Sequence, residues 1–440
     1  MIAYRSRFFA GVLAGWLIAA CVLGAPSARA QEVADSAPVV NGIPNYDLAI
    51  EFFLKRIKAQ PRSPSNYVML AQRYSRKAKE TGAEECFGLA EEALKKALEL
   101  TPKDLNARMM MSGVLAFRHQ FADSLKLAEE AALELPGDLD ALTSVHDAQM
   151  GLGDYAAARK SLDALTKQAK GPLVGLWARQ AHFAELHGQD AEALKLMKQA
   201  NSLVLENAGD YRAPSVVWYQ VRLGHQLLDA GKTEEGAKVF ETAVSDLPKY
   251  FLGVAGLAEA RAAQGRFEDA LKLYAQTIEL CPDPIFFMAA GDIHMKLGAA
   301  DKAKAAYDTA EKTILESGAT PAEFSRELSL FYSERGLQSK KAVELARTDL
   351  KFRQDIMGHD ALAWALYRDS QFEAAAKASE QALRTGSTSA KVHFHAGMIR
   401  YRLGDKDAAK KNLTHALAEN SRFSVLDADV ARKTLQELSQ

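Results

Sequence analysis

The sequence predicts an all-α chain built as an α-solenoid, a stack of helix pairs. Three observations predict it. Apolar residues recur three and four apart through almost the whole 440-residue chain, which is the stripe of an amphipathic helix. The stripe comes in pairs at a fixed period. Pro248 and Pro282 lie 34 residues apart, and the segment FLGVAGLAEARAAQGRFEDALKLYAQTIELCP fits between them as two helices meeting at Gln264-Gly265-Arg266. Finally, the position three residues into each second helix holds Ala90, Ser124, Ala158, Ala193, Gly236, Ala270, Ala303, Ala342, Ala375 and Ala409. All are small, a repetition that a single ordinary helix bundle has no reason to show.

In chain order, residues 1–30 are expected to be an export signal. Arg5 and Arg7 precede an apolar run from Phe8 to Ala25, and Ala28-Arg29-Ala30 offers the small-x-small cleavage pattern before Gln31. A membrane anchor is the competing reading, on a run near the shortest that spans a bilayer. Ile18-Ala19-Ala20-Cys21 resembles the box before a lipidated cysteine, but the apolar run continues past Cys21. Cleavage after Ala30 implies a periplasmic or secreted protein with no stable membrane span. A flexible leader follows at 31–45. Tyr46–Gln60 reads as an amino-terminal capping helix ended by Pro61.

The repeats are expected over 46–200 and 217–423, divided by an irregular insertion at 201–216 that contains Gly209, Asp210 and Pro214 and is the expected hinge. The first repeat begins near Pro64 and has about seven extra residues around Glu80-Thr81-Gly82, which should enlarge its turn. A second interruption falls at Glu316–Pro321. Residues 424–440 read as a polar closing helix, as the ends of a solenoid require. A further position, seven residues beyond the small one, is Ala97, Ala131, Ala200, Ala243, Ala310, Ala382 and Ala416, with Leu165, Thr277 and Asp349 as departures. Asp349 fits that register least well.

Period, turn glycines and small positions together resemble the tetratricopeptide repeat, over about Tyr46 to Leu438. The resemblance implies about ten stacked helix-turn-helix units in a right-handed superhelix, with a concave groove lined by the first helices. It also implies the family's usual role, binding peptides, helices or whole partners. Ala361–Arg368, ALAWALYR, resembles a variant found in exported bacterial members.

Lys and Arg number 55 and Asp and Glu 56, too balanced for a nucleic-acid surface. Cys86 and Cys281 fall in the first and sixth repeats and are expected to lie several layers apart, beyond disulfide reach. No phosphate loop, His-Glu-x-x-His, Gly-x-Ser-x-Gly or zinc-spaced cysteine pair occurs. No enzyme, cofactor or metal is therefore expected. The repeat register puts Trp364, Tyr367, Arg368, Phe394, Met398 and Tyr401 on the groove side of the last two units. Two readings stand for them: anchors for a partner, or packing under the closing helix. His182 and His225 take one groove position in the fourth and fifth units, with Asp147 before them and Asp292 beyond. Trp177 is expected in the core, and Trp218 in groove or core. The functional expectation is a non-enzymatic scaffold of the bacterial envelope that holds a protein or peptide in its groove. The alternative is a small-molecule or glycan sensor using the aromatic patch. A continuous apolar groove favours the first; a closed pocket with convergent polar groups favours a ligand.

Overall fold

The computed structural model describes residues 39–40 and 43–440. The export signal, the Cys21 alternative and most of the leader lie outside the described residues. Val39–Val40 pairs antiparallel with Ile43–Pro44, a short pairing inside what was expected to be a structureless leader.

Twenty-two α-helices follow among the described residues. The capping helix is α1 (Tyr46–Ala59). Ten pairs come next: α2 (Pro64–Thr81) with α3 (Glu85–Leu100), α4 (Leu105–Phe117) with α5 (Phe121–Glu134), and α6 (Leu139–Leu152) with α7 (Tyr155–Gln168). Then come α8 (Val174–Leu186) with α9 (Asp190–Glu206), α10 (Ala213–Asp229) with α11 (Thr233–Asp246), and α12 (Phe251–Ala263) with α13 (Phe267–Leu280). The array continues with α14 (Pro284–Lys296) and α15 (Ala300–Glu316), α16 (Pro321–Arg335) and α17 (Ser339–Asp349), α18 (Ile356–Arg368) and α19 (Phe372–Ala382), and α20 (Ala390–Arg402) and α21 (Lys406–Glu419). The closing helix is α22 (Asp427–Leu438). The solenoid of about ten units with a helical cap at each end is therefore the observed fold. No helix of the described residues is long and apolar enough to cross a membrane.

Local chemistry starts these helices. Asp104, Asp138, Asp154, Asp283, Asp355 and Asp405 accept backbone N–H bonds at the starts of α4, α6, α7, α14, α18 and α21, satisfying donors that the helix itself leaves open. Thr320 and Glu323 form a capping box on α16. The inter-helix turns need a left-handed residue, which most units supply as glycine. The second and ninth supply His119 and Ser370 instead, at φ 57° and 61°.

All ten small positions are buried. At Gly236 an added methyl would meet the Gly224 carbonyl oxygen at 3.0 Å, which is why a larger residue is refused there. The seven alanines of the second position are wholly buried too.

Asp349, the departure, is also fully buried. It accepts from Arg326 Nε at 2.9 Å and Arg353 Nε at 2.6 Å, and Arg326 reaches Asp355 at 2.7 Å. The charge is tolerated because two guanidiniums saturate it.

Two local expectations are corrected. The 201–216 stretch is not an irregular insertion. Helix α9 runs through Glu206, a single 3-10 turn spans Ala208–Asp210, and α10 begins at Ala213. The extra residues of the first unit lengthen α2 to 18 residues rather than enlarging the turn. Glu80, on that added helix, binds the Tyr46 hydroxyl and, at 2.8 Å, Arg212. The predicted hinge is thus fastened to the amino-terminal cap.

The largest departure is superhelical. The coil closes on itself, so that the turns of early units dock on loops of units near 200 residues further on. Cys281 packs against Gly82, with Sγ 4.0 Å from its carbonyl across a separation of 199. Arg118 Nε binds Glu323 at 2.9 Å across 205, and Arg353 Nη1 contacts His119 Nδ1 at 2.8 Å across 234. The Gln354 amide donates to the Leu152 carbonyl at 3.0 Å, and the Ile356 amide to Tyr155 Oη at 3.0 Å across 201. Thr388 Oγ1 donates to Asp190 at 2.6 Å across 198, and Asn420 Nδ2 to the Leu228 carbonyl at 2.8 Å across 192. One superhelical turn therefore takes about six units of the 34-residue period. The core crosses the same seam, since Ile356 is buried with Tyr155, Leu162 and Leu176. The estimate that Cys86 and Cys281 lie layers apart is corrected for this reason: Cys281 sits against the turn just before Cys86. Both thiols are free and buried.

Candidate functional site: a charged lumen inside the coil

Because the first helices face inward and the coil closes, the expected open groove becomes a lumen. Its cavity volume is about 730 Å³. Helices α6 to α16 supply much of its wall, and the 420–426 loop with the end of α21 and the start of α22 borders it.

One wall is acidic. On α8, His182 and Glu185 lie one turn apart, and α10 places His225, Gln226 and Asp229 beside them, with Glu259 on α12 beyond. His182 Nδ1 stands 3.5 Å from Glu185 Oε2, an ion-pair distance that leaves both atoms without a closed hydrogen bond. Arg222 approaches the same oxygen at 3.7 Å, and His225 Nδ1 lies 3.3 Å from Glu259. Burial alone would raise the Glu185 carboxyl; His182 and Arg222 outweigh it and hold the group at about 2. Asp229 goes the other way. It is open to the lumen yet enclosed by protein, and that burial, with Glu185 and Glu259 nearby, pushes it up to about 7.

The facing wall is neutralised by its own pairs. Arg335 grips Asp292 with contacts of 2.9 and 3.0 Å, and Tyr307 donates to the same carboxylate at 2.7 Å. Lys391 is bonded to Glu334, and Lys296 to Asp429. Deeper in, Arg179 holds Asp147 with contacts of 2.8 and 2.6 Å. Among the described residues no group of three or more His, Cys, Asp and Glu side chains has metal-binding geometry.

The expected site residues divide. His182 and His225 do face the lumen. The aromatic group does not form an open face: of its two readings, the burial agrees with packing under the closing helix and not with exposed anchors. Trp364, Phe394 and Met398 are buried in one cluster with Leu413 and Ala431, the latter on α22. Trp364 stacks on Tyr367 at 4.6 Å and on His395 at 4.2 Å, so both its faces are occupied. Tyr401 is half-buried and donates to Glu437 of α22 at 2.9 Å. Arg368 is exposed, its guanidinium 5.8 Å from the Trp364 ring. The closing helix has an apolar side to cover, and these aromatics cover it. Trp218 is buried and Trp177 partly buried in the central core.

The acidic wall went unread in the sequence. Glu185, Asp229 and Glu259 look like ordinary solvated helix residues there, and only the shared register with His182 and His225 hints at them.

The sequence profile of the tetratricopeptide repeat matches residues 221–283, 255–318 and 361–412. No curated protein matches the chain. Among solved structures, the fold is similar to the Cut9-Hcn1 hetero-tetramer of the APC/C, at 15% identity over 89% of this chain and 93% of that one, with TM-score 0.35. It is also similar to yeast Tom70, at 14% identity over 90% and 92%, with TM-score 0.36. A tetratricopeptide repeat protein from Parabacteroides merdae matches at 16% identity over 61% of this chain and 99% of its own, with TM-score 0.36.

Proposed function

We propose that this protein is a non-catalytic interaction module that holds a short peptide segment of a partner in its lumen. Repeats of this kind mediate protein–protein contact, and that general role carries over to the matched segments. The observation that carries the finer reading is the winding of the first helices around a cavity of about 730 Å³. That size lies in the range of about 300–1,000 Å³ that encloses a ligand, and it suits a few residues of chain better than a whole helix or domain. Many of the polar groups lining it are already committed to one another, an arrangement for holding rather than for proton transfer. The glycan alternative loses its support, because both faces of Trp364 are covered.

We place the protein outside the cytoplasm, in the bacterial envelope, on the strength of Arg5, Arg7, the apolar run and Ala28-Arg29-Ala30. An intact mass equal to 31–440 in the exported material supports this, and a mass retaining residues 1–30 or a lipid on Cys21 contradicts it.

The lumen reading is tested with three fluorescein-labelled, acetylated hexapeptides: alternating Lys-Ala, Glu-Ala and Ser-Ala. Anisotropy should show saturable binding of at least one. Ala289→Trp, which fills the lumen from α14, should abolish that binding while circular dichroism stays helical. Binding unaffected by Ala289→Trp, or no binding of any peptide, overturns the reading.

A further inference from the structure

The charged groups of the lumen are not distributed evenly between its walls. On the wall of α14, α16 and α20, Arg335 is on Asp292, Lys391 on Glu334 and Lys296 on Asp429. An anionic ligand would find these cations occupied, with Arg422 exposed on the bordering loop. On the wall of α8, α10 and α12, the balance is different. Three carboxylates, Glu185, Asp229 and Glu259, share Arg222 and two imidazoles. Gln226 sits between them on α10. The residue is 6% exposed and borders the lumen; its amide nitrogen is turned to the Glu185 carboxylate, while its amide oxygen has no hydrogen-bond partner. A buried amide oxygen left open costs free energy unless a donor enters to meet it.

We propose that this wall is the seat of a cationic group, the ammonium or guanidinium of a lysine or arginine side chain or of a free amine, with Asp229 and Glu259 as its anions and the Gln226 carbonyl as a further acceptor. Glu185, already drawn to His182 and Arg222, sets the field rather than making the contact. The elevated Asp229 agrees with this, because enclosure by protein, then the charges of Glu185 and Glu259, outweigh the nearby His225 and Arg222. A cation arriving in the lumen meets a partly desolvated carboxylate, where charge-assisted bonds are stronger than at an open surface.

The proposal rests on the lumen as a binding site, and its test separates the two claims. Calorimetry at low salt is run with four probes: the Lys-Ala, Ser-Ala and Glu-Ala hexapeptides and spermidine. The Lys-Ala peptide should bind at least tenfold tighter than the other peptides. Asp229→Asn with Glu259→Gln should erase that tenfold preference. Asp229→Asn alone, a nearly isosteric change at a position open to the lumen, guards against misfolding of the pair and should weaken the Lys-Ala peptide several-fold. Ser-Ala or Glu-Ala bound as tightly as Lys-Ala would overturn the cation seat and leave peptide binding standing. Spermidine bound through Asp229 with no peptide bound would keep the seat and overturn the peptide reading. No binding of any probe overturns both.

Discussion

Closing of the coil can be measured by comparing two glycines that differ only in what lies beside them. Gly153 and Gly265 both occupy inter-helix turns, at φ 79° and 76°. Replacing either by alanine costs ~1–2 kcal/mol for the left-handed backbone. At Gly265 nothing lies within 4 Å of the added methyl, so that cost is the whole effect. At Gly153 the methyl would fall 2.5 Å from the Gln354 carbonyl oxygen and 2.6 Å from the Asp355 nitrogen. Those atoms are backbone and cannot rotate away. Overpacking of this kind adds ~1–3 kcal/mol, or else the seam opens and gives up the Gln354–Leu152 and Ile356–Tyr155 hydrogen bonds, each about 1 kcal/mol. Gly153→Ala should therefore lower the urea midpoint clearly more than Gly265→Ala. Small-angle X-ray scattering should show a larger radius of gyration for Gly153→Ala alone. Equal midpoints and identical scattering for the two variants would refute a closed coil in solution.

Asp349→Ala should destabilise the chain by ~3–5 kcal/mol, because it removes the buried carboxylate that two buried guanidiniums share; chemical denaturation reads this, and a loss under about 1 kcal/mol would contradict the network. Trp364→Ala should cost ~3–5 kcal/mol as a core truncation, lowering the thermal midpoint without altering hexapeptide affinity. Burial, with Glu327 nearby, raises buried Asp283 from 3.8 to about 7. A folded-state carboxyl held above its unfolded value contributes stability that is present at low pH and lost as pH rises towards 7. Asp283→Asn keeps the acceptor for the Ile285 amide, so it should be more stable than the parent at pH 8 by on the order of 2–4 kcal/mol, the gain fading towards pH 4. A gain that does not change with pH would contradict that assignment.

The helix pairs were legible because their determinants are local. An alanine at position 270 or 303 records a contact made within its own unit, and a repeating contact leaves a repeating residue. The pitch is not recorded in that way. It accumulates from a small rotation at each interface, and no single residue states it. Hence the repeat spacing alone puts Cys281 far from the first repeat when it lies against Gly82, and leaves the groove open when it is wound shut. Asp349 is the instructive exception. Its misfit was visible in the sequence, but the arginines that explain it come from α16 and from the loop after α17. The aromatic residues around Trp364 stand out in the sequence, but what covers them does not, because the closing helix meets them only in the folded chain. Glu185, Asp229 and Glu259 carried no signal, because an acid on a helix face is ordinary until the coil folds that face inward.

The seam also orders events in time. A ribosome adds about 5–20 residues per second, so the half of the chain that must receive a docking loop is finished roughly 10–40 s before that loop exists. The early units can stack as they emerge, since each needs only its neighbour. Their outer edge, with the Leu152 carbonyl and the Tyr155 hydroxyl, stays bare through that interval. The last of these contacts, from Asn420 to the Leu228 carbonyl, waits until almost the whole of the 440-residue chain has been made. A nascent chain halted early would be well folded unit by unit and still unclosed, with its inward charges open to the surrounding water.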